Sequence, residues 1–173
     1  TPGYADFVGE VNAAARVADA AVVVVCAASG VEVGTTKTWG YADEAKLPRI
    51  VFINKMDREN ADFARTFEQM KSTFGKVVAI QLTIGAQHEF KGVVDLIAMK
   101  AYMGTQATEA EIPAAMKDQV KSFRDKLVEA IAETNDDLIA KYLEEQAISD
   151  QELIDCLRQA VRAGKLVPVL DGA

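Results

Sequence analysis

Two uninterrupted apolar runs constrain this chain more than any other feature. Ala20–Ala27 reads AAVVVVCA and Arg49–Asn54 reads RIVFIN. A strand with one wet face alternates apolar and polar residues. A β-branched run that does not alternate predicts burial on both faces, as in a parallel sheet layered with helices. Between the two runs, Val33–Lys46 carries Ala42 and Ala45 at near-helical spacing, and Pro48 closes the stretch. This is a strand–helix–strand unit, which crosses over right-handedly. Ahead of it, Phe7–Val17 reads as a helix with Phe7, Val8, Val11 and Ala15 on one side. Behind it, a helix over about Ala61–Phe74 places Phe63, Phe67 and Met70 on one face, and Gly75 ends it. The alternation predicts part of a doubly wound α/β fold with helices on both faces of the sheet.

Beyond Gly75 the pattern changes. Val77–Leu82, Phe90–Ile97 and Lys100–Met103 read as short strands, with Gly85 and Gly92 as punctuation, and predict a meander. Pro113–Gly164 reads as helical. Val120, Phe123, Leu127 and Ile131 form one apolar stripe. Asn135 caps the next helix, with Asp136 and Asp137 in its first turn and Leu138, Ile139, Tyr142 and Leu143 as its buried face. Ser149 and Glu152 form a capping box for the last helix, which buries Leu153, Ile154, Leu157 and Val161. Leu166–Leu170 reads as a buried return strand. The expected organisation is an α/β core over residues 1–75, an inserted α+β subdomain over 76–164, and a return strand over 165–173.

Half of the 173 residues are apolar, enough for a core in one domain or one domain plus a subdomain. No apolar run approaches the roughly 20 residues that span a bilayer, so no membrane role is expected. The opening TPGYADF has neither a basic leader nor an apolar signal segment, which fits a cytoplasmic protein. Cys26 ends the valine run and is expected to be buried; with Cys156 it reads as one of two reduced thiols. The net charge of −7 gives no electrostatic footprint for nucleic acid, so no direct sequence-specific nucleic-acid contact is expected. The single histidine, His88, has no partner at ligand spacing, so no metal site is expected within these residues.

The segment that carries chemistry is Asn54-Lys55-Met56-Asp57, at the end of the second apolar run. In open α/β sheets ligands bind beyond the carboxyl ends of the strands. The Watson–Crick edge of guanine offers two adjacent N–H donors. A carboxylate has two acceptor oxygens at matching spacing, so Asp57 can take both. Adenine lacks that donor pair and would leave the carboxylate unpaired. Asn54 can bond the other edge of the base or tie loops together, and the aliphatic stem of Lys55 can cover the ring plane while its ammonium stays wet. The plain alternative is a polar turn after a strand.

TPGYADF, the strand over 21–28, GVEVGTTKTW, LPRIVFINKMDRENADF and FKGVVDLI, in this order, resemble the elongation factor G family of translational GTPases along nearly the whole chain. Tyr4 and GVEVGT look more like its elongation factor G-like paralogues, the elongation factor G 2 type. The resemblance implies a partial P-loop GTPase-type parallel sheet and the characteristic insertion called G prime. It implies that Gly3 meets the γ-phosphate, with Thr1 and Pro2 in the same segment, and that Asn54, Lys55, Met56 and Asp57 recognise guanine. Asp171-Gly172-Ala173 stands where the family has its second guanine loop, usually containing Ser-Ala, so Ala173 is carried over as a further GTP-binding residue. Tyr4 takes the place of the histidine that orients the attacking water. Its hydroxyl, with an ordinary pKa near 10, is a poor general base at neutral pH but can hydrogen-bond a water. The resemblance further implies GTP/GDP and Mg²⁺ as cofactors of the parent protein, and the ribosome and its stalk protein as partners.

The resemblance has gaps. No GxxxxGK(S/T) loop occurs in the chain, and the aspartate that precedes Thr1 in the family lies outside it. Together with the Pro-Gly start and the short sheet, this predicts a fragment that binds GTP weakly or not at all and is inactive alone, because phosphoryl transfer depends on those parts. Two other readings stay open. One is another translational GTPase, a ribosomal-protection protein or release factor 3. The other is a non-catalytic interaction module with a degenerate nucleotide site.

Overall fold

The valine run becomes β1 (Ala21–Cys26), and RIVFIN becomes β2 (Arg49–Asn54), paired in parallel and in register from Ala21 opposite Arg49 to Cys26 opposite Asn54. The structure is a computed structural model that describes residues 8–173. Before β1 stands α1 (Val8–Val17), and between β1 and β2 lies α2 (Val33–Glu44). Trp39 and Ala42 of α2 are buried, and Trp39 stacks on Phe74 at 4.0 Å. Arg49 opens β2 with a buried guanidinium that donates to the Trp39 and Leu47 carbonyls and pairs with Asp43. Next comes α3 (Phe63–Phe74), capped by Asp62 and ended by Gly75, whose φ of 75° suits the residue without a Cβ.

The chain then enters β3 (Val77–Ala79) and β4 (Gln81–Ile84). Val77–Leu82, expected as one strand, is therefore two strands in different sheets. The parallel sheet has the order β1-β2-β8-β3, where β8 is Val167–Asp171, so it reaches past Gly75 to include Val77–Ala79. The second sheet is an antiparallel meander, β4-β5-β6-β7, with β5 at Gly92–Asp95, β6 at Lys100–Met103 and β7 at Thr108–Ala110. The residue between, Ile80, donates its N–H to the Val169 carbonyl and accepts from the Leu96 N–H, so one residue joins both sheets.

The helical stretch resolves into α4 (Lys117–Ala132), α5 (Asp136–Leu143) and α6 (Asp150–Arg162). Asn135 accepts from the N–H groups of Asp137 and Leu138, and Ser149 and Glu152 form a reciprocal capping box, as their spacing predicts. Val120, Leu127 and Ile131 of α4 close over Leu138, Leu153 and Leu157, and the core runs from there to Val51, Ile53 and Val169. The architecture is thus α/β: a parallel sheet flanked by helices, with a small antiparallel-sheet unit. Among the described residues no helix is long and apolar enough to cross a membrane.

Other expectations fail as well, and Leu143, placed on the buried face of α5, is 74% exposed. Burial alternates along both runs: Val51 and Ile53 of β2 are fully enclosed, but Val22 and Val24 of β1 are 60% and 58% exposed. Among the described residues β1 is the edge strand on its side of the sheet, and they leave that face of it open. Helix α1 likewise has no fully buried residue. Cys26, expected inside, is only half-buried; it and Cys156 are both free thiols.

Candidate guanine-recognition loop

The carboxyl ends of β1, β2 and β8 lie side by side, and the loop after β2 carries Asn54, Lys55, Met56 and Asp57. Each residue of the loop has a distinct place. The Asn54 carbonyl accepts from the Ala27 N–H at 2.9 Å, tying it to the end of β1, while its side-chain oxygen accepts from the Lys55 N–H at 2.8 Å. Lys55 is exposed and sits at φ 64°, in the left-handed region where a side chain costs about 1 kcal/mol. That conformation reverses the chain and turns Met56 inward. Met56 is fully buried, its N–H donating to the Gly172 carbonyl at 3.0 Å and its carbonyl accepting from the Gln87 N–H at 2.8 Å. Asp57 returns to the surface with its carboxylate exposed. The loop thus has a buried anchor and two exposed polar side chains, one on each side of it.

Gly172 closes the floor of the site. Its N–H donates to the Ile53 carbonyl at 3.0 Å, so β8 and the loop after β2 hold each other from both directions. A Cβ at Gly172 would press on the Phe52 ring at 2.8 Å, which suits glycine at this crossing. Ala173 is exposed and follows Gly172, past the end of β8. Thr1, Pro2, Gly3 and Tyr4 lie outside the described residues.

Two features here have little trace in the sequence. The first is Asp171, only 4% exposed, with neither carboxylate oxygen meeting a hydrogen-bond partner among the described residues. Burial pushes its carboxyl up to about 7. Its only sequence signal is an aspartate at the end of an apolar run. The second is the amino end of α3, whose polar side chains reach back to the carbonyls at the end of β1. Nearby, burial alone would raise the Cys26 thiol. Hydrogen bonds from Ser29 and Ala28 and the charge of Lys55 outweigh it and bring the thiol below its ordinary value.

No group of three or more His, Cys, Asp or Glu side chains comes together among the described residues to hold a metal ion. The loop has an exposed carboxylate with no hydrogen-bond or ion-pair partner among the described residues, an exposed lysine on the other side of Met56, and a backbone fixed at three points, an arrangement that can receive a planar base.

Residues 1–170 match the elongation factor Tu GTP binding domain family. The fold is also similar to a crystal structure of a protein from Thermus thermophilus, with 38% sequence identity and a TM-score of 0.92. That match covers 99% of this chain and 26% of the other, so the chain spans about a quarter of that protein's length. With the family match running over almost every residue and the loop at the carboxyl end of β2 built as described, the chain belongs to the elongation factor Tu GTP-binding domain family of translational GTPases.

Proposed function

We propose that this chain is the guanine-recognition part of a GTPase resembling elongation factor G, of the elongation factor G 2 type, which acts on the ribosome. The observation that carries the reading is the exposed Asp57 carboxylate at the carboxyl end of β2, on a loop whose buried member, Met56, is bonded to Gly172. Asp57 accepts both N–H donors of the guanine edge, Lys55 covers the ring with its stem, and Asn54 keeps the loop joined to β1. Ala173 lies beside the base. Gly3, with Thr1 and Pro2, meets the γ-phosphate, and Tyr4 hydrogen-bonds the attacking water. In the complete protein a bound Mg²⁺ would supply charge neutralisation at the phosphates, and loss of the γ-phosphate would release the segment around Gly3, coupling hydrolysis to movement.

The parent protein is cytoplasmic in this reading. The antiparallel sheet and helices α4 to α6 form an inserted unit, beginning after Ala79 and ending near Gly164, that meets the ribosomal stalk protein. Of its acidic positions Glu144, Glu145, Asp150, Glu152 and Asp155, the last three already pair with Arg124, Lys141 and Arg158, and the exposed Glu144 and Glu145 suit a basic partner.

The test is nucleotide binding by calorimetry on the full-length protein and on Asp57→Asn. Asparagine accepts only one of the two guanine donors and offers a donor to the extra carbonyl of xanthine. The expected result is a guanine preference that turns into a xanthine preference in the variant. A full-length protein that binds neither class of nucleotide would remove the assignment.

A further inference from the structure

The amino end of α3 carries polar side chains at Asp62, Arg65, Thr66 and Gln69, the three- and four-residue spacing that lines one face of a helix. On a surface helix such a stripe ordinarily faces water. Here the side chains of Arg65, Thr66 and Gln69 and the backbone of Asp62 are bonded to the chain between Ala27 and Val31, while the Asp62 carboxylate caps the helix by accepting from the Arg65 N–H. The Ala27 carbonyl accepts from the Asp62 N–H at 3.1 Å, from the Thr66 hydroxyl at 3.2 Å and from Arg65 Nη2 at 3.1 Å. The Val31 N–H donates to Gln69 Oε1 at 3.1 Å. Arg65 alone reaches a second loop. The same Nη2, its two hydrogens shared among three acceptors, donates to the Ala28 carbonyl at 2.6 Å and reaches the Asn60 carbonyl at 3.3 Å as the longest of the three.

Asn60 stands at φ 63°, the second left-handed non-glycine residue of the segment after Lys55 at 64°. Lys55 holds this conformation at a cost, while asparagine enters it readily, so bonds from outside set where the stretch lies. On the Lys55 side the holding bond is Met56 N–H to Gly172. On the Asn60 side it includes Arg65, beside the Ala61 N–H bond to Arg58 within the loop. Asp57 lies between these two anchors.

We propose that Arg65 is a positioning residue for Asp57, fastening the loop between Asn54 and Asp62 to the end of β1 so that the carboxylate meets both donors of a guanine base. This rests on the guanine reading above. Arg65 touches no nucleotide; it acts through the Asn60 carbonyl. Its signature is selectivity. Inosine nucleotides lack the N2 amine, so a misplaced Asp57 loses its grip on guanosine more than on inosine.

The experiment measures GDP and IDP dissociation constants for the full-length protein, Arg65→Met, Arg65→Gln and Asp57→Asn, with a thermal midpoint for each. Arg65→Met keeps the stem and removes every donor; Arg65→Gln stays polar but is too short to reach Asn60. The preference for GDP over IDP should fall roughly tenfold in both arginine variants, the worth of one charge-assisted hydrogen bond. A merely structural arginine would lower the midpoint and weaken both nucleotides equally, and an unchanged ratio in whichever variant folds overturns the proposal. If Asp57→Asn also leaves the ratio unchanged, the guanine reading itself falls. If Asp57→Asn abolishes the preference and the arginine variants keep it, only the role of Arg65 falls.

Discussion

Replacing Asp171 with asparagine should make this chain more stable at neutral pH and should remove a pH dependence that the native residue creates. The buried carboxyl has no hydrogen-bond partner among the described residues and holds its proton to about 7, against 3.8 for the free side chain. Between about pH 4 and about pH 7 the folded protein therefore keeps a proton that the unfolded chain has released. The unfolded state binds fewer protons across that window, so unfolding free energy falls as pH rises through it. At about 1.4 kcal/mol per pH unit, the span between 3.8 and about 7 amounts to as much as about 4 kcal/mol, fully lost above about pH 7. Asparagine has the same shape as the protonated acid and cannot ionise. Urea unfolding of the native chain and Asp171→Asn, compared from about pH 4 to about pH 8, should show equal stability at the acid end and an advantage to the variant that widens to neutrality. Two curves that run parallel over the whole range would refute the reasoning.

Two further substitutions test the frame around the loop. Ser149→Ala removes the cap of α6, in which Ser149 accepts from the Glu152 N–H and the Glu152 carboxylate accepts from the Ser149 N–H. It should cost about 1 kcal/mol in thermal or urea unfolding and leave nucleotide affinity unchanged. Gly85→Ala places a Cβ against the Glu89 carbonyl at φ 76° and should destabilise by about 1–3 kcal/mol. Because the turn it opens carries the Gln87 N–H that holds the Met56 carbonyl, the same variant should also weaken guanine nucleotide binding in calorimetry.

How much of this was legible depended on whether a residue's role is local. Strand β2 could be read to its ends, because an apolar run stops where Asn54-Lys55-Met56-Asp57 begins. Asn135 and Ser149 could be read as caps, because a cap is decided within four residues. Val77–Leu82 could not be divided, since an apolar run does not say which sheet its halves join; Ile80 bonds to Val169 and Leu96, both far along the chain. Strand β7, Thr108–Ala110, carries no apolar signal and forms by pairing with β6. The open face of β1 was hidden for the opposite reason: Val22 and Val24 look the same in sequence whether or not anything covers them. At the site, the order of residue types marked the loop as a candidate for guanine. The burial of Asp171 and Thr66 and the bonds of the exposed Arg65 to Ala28 and Asn60 depend on tertiary contacts that no spacing encodes.

The position of β8 has a kinetic consequence. This last strand is inserted between β2 and β3, so Val77 meets Val167 only after the whole meander and all three later helices have been made. During synthesis β1 and β2 can zip together at once, while β3 waits with both edges bare. Closing a loop of roughly ninety residues to bring β8 home costs about 4 kcal/mol of chain entropy if the intervening chain is slack. A prefolded meander with its helices shortens that slack, and the Ile80 N–H bond to the Val169 carbonyl forms only as β8 docks. The order of assembly that follows is hairpins and helices first, β8 last. The loop bearing Asp57 then gains its Gly172 anchor only in the final step, so nucleotide binding should report completed folding rather than an early intermediate.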